Sequence, residues 1–141
     1  MEISIVRQRL RVAMERAKQR AAERRQRADQ TSREFDAFLT RTAVPLVRQI
    51  ANVLRADSHL FSVFTPSGSV RLASDKSAED FIEIALDPST DPPRVVAHTT
   101  RTRGRRVVDA KSVVGAGDPA SISDEELLEF LLNELGPFFE R

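Results

Sequence analysis

"HLFSVFTPSGSVRLAS", residues 59 to 74, decides the fold. Before His59 the apolar residues recur at helical spacing. Within the stretch they alternate, and Pro66-Ser67-Gly68-Ser69 provides turn chemistry between two alternating runs, so the segment reads as a β-hairpin. The chain is therefore mixed, with helical sequence on one side of the hairpin and more extended sequence on the other.

Toward the C-terminus, "DFIEIALD", residues 80 to 87, sets Ile82, Ile84 and Leu86 on one face, which predicts a third strand covered on one side. "DPSTDPP", Asp87 to Pro93, is a stiff polar loop, and Arg94–Thr102 and Arg105–Val113 are two more extended runs around Arg103-Gly104. About five strands with short connections predict an antiparallel meander. A helix is expected over 124–135, where Ser123 and Glu126 have capping-box spacing, Ile122 and Leu127 occupy the staple positions, and Gly136-Pro137 supplies the stop. Leu127, Leu128, Leu131, Leu132 and Leu135 form one face, expected to pack on the sheet or on the second helix, with Phe138 and Phe139 closing the edge. Asp124, Glu125 and Glu126 suit the positive end of its dipole.

Toward the N-terminus, "TSRE", Thr31 to Glu34, has the capping-box pattern, so a second helix is expected to begin there. Its stripe of Phe35, Phe38, Leu39, Leu46, Val47, Ile50, Val53 and Leu54 belongs to a core, and Pro45 predicts a kink or break near residues 41 to 45. Ahead of it, residues 3 to about 28 contain neither Gly nor Pro and read as one helix. Met14, Ala21, Ala28 and Phe35 fall on one seven-residue column and Ile3, Leu10 and Ala17 on another, a coiled-coil-like seam that Arg24 and Thr31 interrupt. Alanine buries little area, so such a helix is stable mainly against a second helix. The expected organisation is α+β, with a helical arm over 1–30 and a head domain over 31–141.

Composition bounds the function. The 141 residues, 40% hydrophobic and 30% charged, suit one domain with an extension. The absence of cysteine excludes disulfides, thiolate zinc sites, iron–sulfur clusters and cysteine nucleophiles. Arginines interrupt the apolar positions of "MEISIVRQRLRVAMER", which is unlike a signal peptide, and no run approaches the roughly 18 apolar residues of a membrane span. A soluble, cytoplasmic protein without a membrane partner is expected. The net charge of +1 hides a segregation: +5 over residues 1–34, −3 over 35–93, +5 over 94–117 and −6 over 118–141. Such asymmetry marks either a polyanion-binding surface or two complementary surfaces that meet, within one chain or between copies.

The search for chemistry assigns no catalytic, cofactor-binding or metal-ligating residue. His59 and His98 are far apart in predicted strands and fit a structural role. Ser67-Gly68-Ser69 lacks the GxSxG context of a nucleophile elbow, "VVGAGDPAS" lacks the lysine of a phosphate loop, and Asp87 and Asp91 lack EF-hand spacing. The chain is thus expected not to be an enzyme and to need no cofactor. Two basic features remain. Arg20, Arg24, Arg25 and Arg27 belong to the arm, and "RTRGRR" places Arg101, Arg103, Arg105 and Arg106 at a hairpin tip. These eight arginines are the candidate polyanion contacts, although arginines at such positions also solubilise a helix and protect a sheet edge. The preferred reading is a non-catalytic protein-interaction or scaffold module, a homo-oligomer, most simply a dimer, that self-associates through the arm and is open to another protein partner. The alternative is a nucleic-acid-binding protein using the arm and the arginine tip. A second alternative is a small-molecule-binding domain with a pocket between sheet and helices, for which "LFSVF" provides the aromatic lining.

Overall fold

The structure, a computed structural model, describes residues 1–140. Its first helix, α1, runs from Ile3 to Phe38 and passes through Thr31–Glu34 without interruption, so the helix start expected at Thr31 does not exist. A capping box serves backbone donors that an open helix end leaves unpaired, and in mid-helix those donors are already bonded one turn back. Thr31 is instead buried against the head, and Glu34 accepts a hydrogen bond from Gln30 Nε2 at 3.0 Å.

Pro45 acts where expected, but in a form the sequence did not specify. Leu39–Ala43 widens into a π-helical turn, in which the Val44 N–H donates to the carbonyl of Leu39, and α2 then spans Val44–Ala56 with Pro45 in its first turn. The widened turn accommodates a ring that has no N–H to donate and would crowd the preceding carbonyls. It also helps alignment. Each step of four residues advances about 40° round an α-helix, so the column Phe35, Leu39, Ala43, Val47, Ala51 would wind away from the sheet. The wide turn takes back part of that drift, and all five side chains are buried.

Five strands follow: β1 Phe61–Phe64, β2 Ser69–Ser74, β3 Phe81–Asp87, β4 Arg94–Arg103 and β5 Arg106–Val113. They form one antiparallel meander in the order β1-β2-β3-β4-β5. The turn between β4 and β5 holds only Gly104 and Arg105, and Gly104 takes a φ of +65°, which places glycine at the first central position of a II′-like hairpin. Asp80 ties the start of β3 to β4, accepting from the N–H of Thr102 at 2.7 Å and from its hydroxyl at 3.1 Å.

One face of the sheet is the core. Val70, Leu72, Ile82, Ile84, Val95 and Ala97 pack against Phe35, Phe38, Leu39 and Val47 and against Leu127, Leu131, Leu135 and Phe138. The last four come from α3, Asp124–Leu135, and the 3-10 turn Gly136–Phe139 that continues it. Ser123 caps α3 by accepting from the Glu126 N–H at 3.1 Å, as its sequence pattern predicts. The Glu126 carboxylate lies against Gly115 and leaves no room for a Cβ there. The end of α3 differs from expectation, because Gly136 stays right-handed and the helix tightens into the 3-10 turn. The other face of the sheet is polar, with Phe64, Arg71, Glu83, His98 and Lys111 in one cross-strand row. Arg71 Nε donates to Glu83 at 3.1 Å while its guanidinium sits 4.1 Å from the Phe81 ring centre, and His98 pairs with Asp109.

Candidate interaction surface

Over its first 20 residues the arm has nothing against it among the described residues. Every residue from 1 to 20 is exposed, and between Ala21 and Gln30 only Ala21 and Ala28 are half-buried. The seam found in the sequence nevertheless lies on the side of α1 that enters the head. Counting 100° per residue, its residues Ile3, Leu10, Met14, Ala17, Ala21 and Ala28, with Val6 beside them, line up with Thr31 and Phe35, and Arg24 interrupts the line. Along that single line exposure falls from 75% at Ile3, 58% at Leu10 and 50% at Met14 to 2% at Phe35. Residues 3–20, all exposed, amount to a free rod of about 27 Å at 1.5 Å per residue.

The arm is tied at its root. Arg27 donates through Nε at 3.0 Å and Nη2 at 2.7 Å to the two carboxylate oxygens of Asp91, in the loop between β3 and β4. That bidentate hydrogen bond, with the charges of Arg27 and Arg24, holds the Asp91 carboxyl below the usual carboxylate range, and raises Arg27 in turn. Asp87, at the other end of the loop, is lowered to about 2, chiefly by the Ser89 backbone N–H and hydroxyl and also by Lys111 at 3.2 Å. The two aspartates considered for calcium are thus partners of a guanidinium and an ammonium. Among the described residues, no group of three or more His, Asp or Glu side chains could hold a metal ion.

Among the described residues, Arg27 is the one of these eight arginines with an acidic partner. Among the described residues, Arg20, Arg24, Arg25, Arg101, Arg103, Arg105 and Arg106 make no ion pair. Arg101, Arg103, Arg105 and Arg106 sit together at the β4–β5 tip, with Arg103 directly opposite Arg106. Among the described residues, no hydrogen bond or ion pair joins them to the arm. His98 faces Phe81 edge-on at 5.5 Å. His59 lies just outside β1 rather than within a strand, with its ring 4.9 Å from that of Phe139.

A second unpartnered surface was not anticipated. The leucine face of α3 is split: Leu127, Leu131 and Leu135 are buried in the core, whereas Leu132 is 56% exposed and Leu128 is half-buried. Leu128 and Leu132 form one wall of a groove of about 730 Å³ whose other wall is Leu46, Ile50 and Val53 of α2, with Phe139 also lining it. This groove lies between the two helices, not between helices and sheet. The stretch "LFSVF" lies apart from this groove: Leu60 and Phe61 line a separate pocket of about 410 Å³ with His59, Phe138 and Phe139, and Phe64, 53% exposed, lines one of about 550 Å³ with Pro66 and Arg71. The groove had a signal in the sequence. Leu46, Ile50 and Val53 make the stripe of α2 wider than one sheet contact can cover.

Among the described residues, no helix is long and apolar enough to cross a membrane. Comparison with protein-family models, with characterised protein sequences and with solved structures finds no match to this chain.

Proposed function

We propose that the protein is a non-catalytic interaction module that self-associates through its N-terminal helical arm, acting in the cytoplasm, with whose reducing conditions a cysteine-free chain is compatible. One observation carries this reading: a helix that buries its seam at Phe35 leaves the same seam uncovered from Ile3 to Met14. An isolated alanine-rich helix gains little from its own burial, so its stable form has another helix or surface against it. Two copies of the chain supply such a surface without any further component. Sedimentation of the full chain beside a version beginning at Asp29 tests the reading. A dimeric mass for the first and a monomeric mass for the second are expected; monomers in both cases would sink it.

The unpaired arginines of the β4–β5 tip favour a second reading, contact with a polyanion such as nucleic acid. Changing Arg101, Arg103, Arg105 and Arg106 to Gln is expected to alter no binding to duplex DNA or RNA at physiological salt. Micromolar or tighter binding by the native chain, weakened by the four-fold variant and falling linearly in log salt, would promote the polyanion reading.

A further inference from the structure

The two uncovered apolar surfaces carry opposite charge. On α3, Glu125, Leu128, Glu129 and Leu132 follow the spacing of one helix face, so two carboxylates flank the leucines of the groove wall. Neither Glu125 nor Glu129 has a basic partner among the described residues. On the arm, Arg7, Arg9, Arg11 and Arg16 surround Val6, Leu10 and Met14, again with no acidic partner. The arm's apolar seam is thus edged with guanidinium groups, and the groove's apolar wall with carboxylates.

Direct arm-to-arm pairing satisfies the apolar residues but only part of the charges. In a parallel, in-register pair with Ile3, Val6, Leu10, Ala13 and Ala17 at the seam, Glu2 faces Arg7, but Arg9 and Arg16 flank the contact opposite Met14 and Ala21, and the basic excess of both arms is brought together. Docking into the groove answers both. A groove of about 730 Å³, bounded by two helices and lined also by Phe139, accommodates the apolar side of a helix laid along it. A two-fold exchange, in which each copy gives an arm and receives one, forms the contact twice and closes the assembly.

We infer that residues Ile3–Met14 of one copy dock in the α2–α3 groove of a second copy, with Leu10 among Ile50, Val53, Leu128 and Leu132 and the arm's arginines against Glu125 and Glu129. This inference rests on the self-association proposed above, and it can fail while self-association stands. The cysteine-free chain permits a direct test. L10C and L132C variants, each checked for native circular dichroism and dimeric mass, are mixed in equal amounts and oxidised. Because each chain has a single thiol, every disulfide reports a contact between copies. The expected product is the mixed L10C–L132C dimer, in at least several-fold excess over either homodimer. A dimeric protein that yields the L10C homodimer instead, or no mixed product, overturns groove docking and leaves arm-to-arm pairing. A native chain that stays monomeric overturns both.

Discussion

The two halves of α1 are the same helix with the same apolar line, and they live in different environments. From Thr31 to Phe38 the line is closed over by the sheet and by α3; from Ile3 to Met14 it faces outward. Helical periodicity alone does not distinguish them. What separates them is the size of the side chains and what lies opposite: two phenylalanines with a core to enter, against scattered Ile, Leu, Met and Ala with none in the same chain. Stability therefore belongs to the lower half and availability to the upper.

If that division holds, equivalent truncations on one line have unequal effects. Phe35→Ala should lower the unfolding free energy by about 3 to 5 kcal/mol through lost burial and the cavity left behind. Leu10→Ala, measured at high dilution, should stay within about 0.5 kcal/mol of the native chain by denaturant melting. At high concentration it should weaken the dimer in sedimentation. Equal losses from both substitutions would mean that the arm has an intrachain contact of its own.

The next largest effect divides α3 in the same way. Leu131→Ala is expected to cost about 2 to 5 kcal/mol, while Leu132→Ala, one residue later and 56% exposed, should cost well under about 1 kcal/mol in the monomer. Similar midpoints for the two variants would show that the leucine face is not split in solution.

The smallest effect concerns the root of the arm. Asp91 is held below its ordinary value by Arg27, so it binds fewer protons folded than unfolded near that value. The stabilisation from the tie is complete above the ordinary carboxylate pKa of about 3.9 and disappears as pH falls through the lowered, folded value. Carboxyl NMR titration should find Asp91 shifted down in the native chain and returned toward its usual range in Arg27→Gln. Amide exchange of residues 24–30, corrected for its intrinsic pH dependence, should quicken only at the acid end. Identical Asp91 titrations in the two proteins would show that the tie is absent in solution.

Much of this architecture was legible because its signals are local. The change of period at His59, the turn at Pro66–Ser69, Gly104 between arginine-flanked runs and the Ser123 cap each depend on a few neighbouring residues, and the strands and α3 lie within one or two residues of where those signals put them. The misreading at Thr31 has a physical origin too. A Thr and a Glu three apart look the same whether they close a helix end or lie on one face of a continuous helix. Nothing between Ile3 and Val44 breaks the helix, so propagation wins. The Arg27–Asp91 link joins positions 64 apart, and the groove needs α2 and α3 side by side. Both depend on the finished fold, which no local pattern encodes. Pro45 was readable as a disturbance, but the π turn that absorbs it depends on the sheet beneath.

The continuity of α1 through Thr31 has a kinetic meaning. Starting a helix is the hard step: the nucleation constant is near 10⁻³, equivalent to about 4 kcal/mol, whereas adding each further residue is close to neutral. A separate arm would have to start afresh beyond a break. Here the buried turn from Thr31 to Phe38 is a permanent seed made by the folding of the head, and the arm only has to grow outward from it. Its order should therefore fade gradually toward Met1. A docking surface would meet a strand of chain already wound at its base, and capture would require only the last turns to be zipped into place.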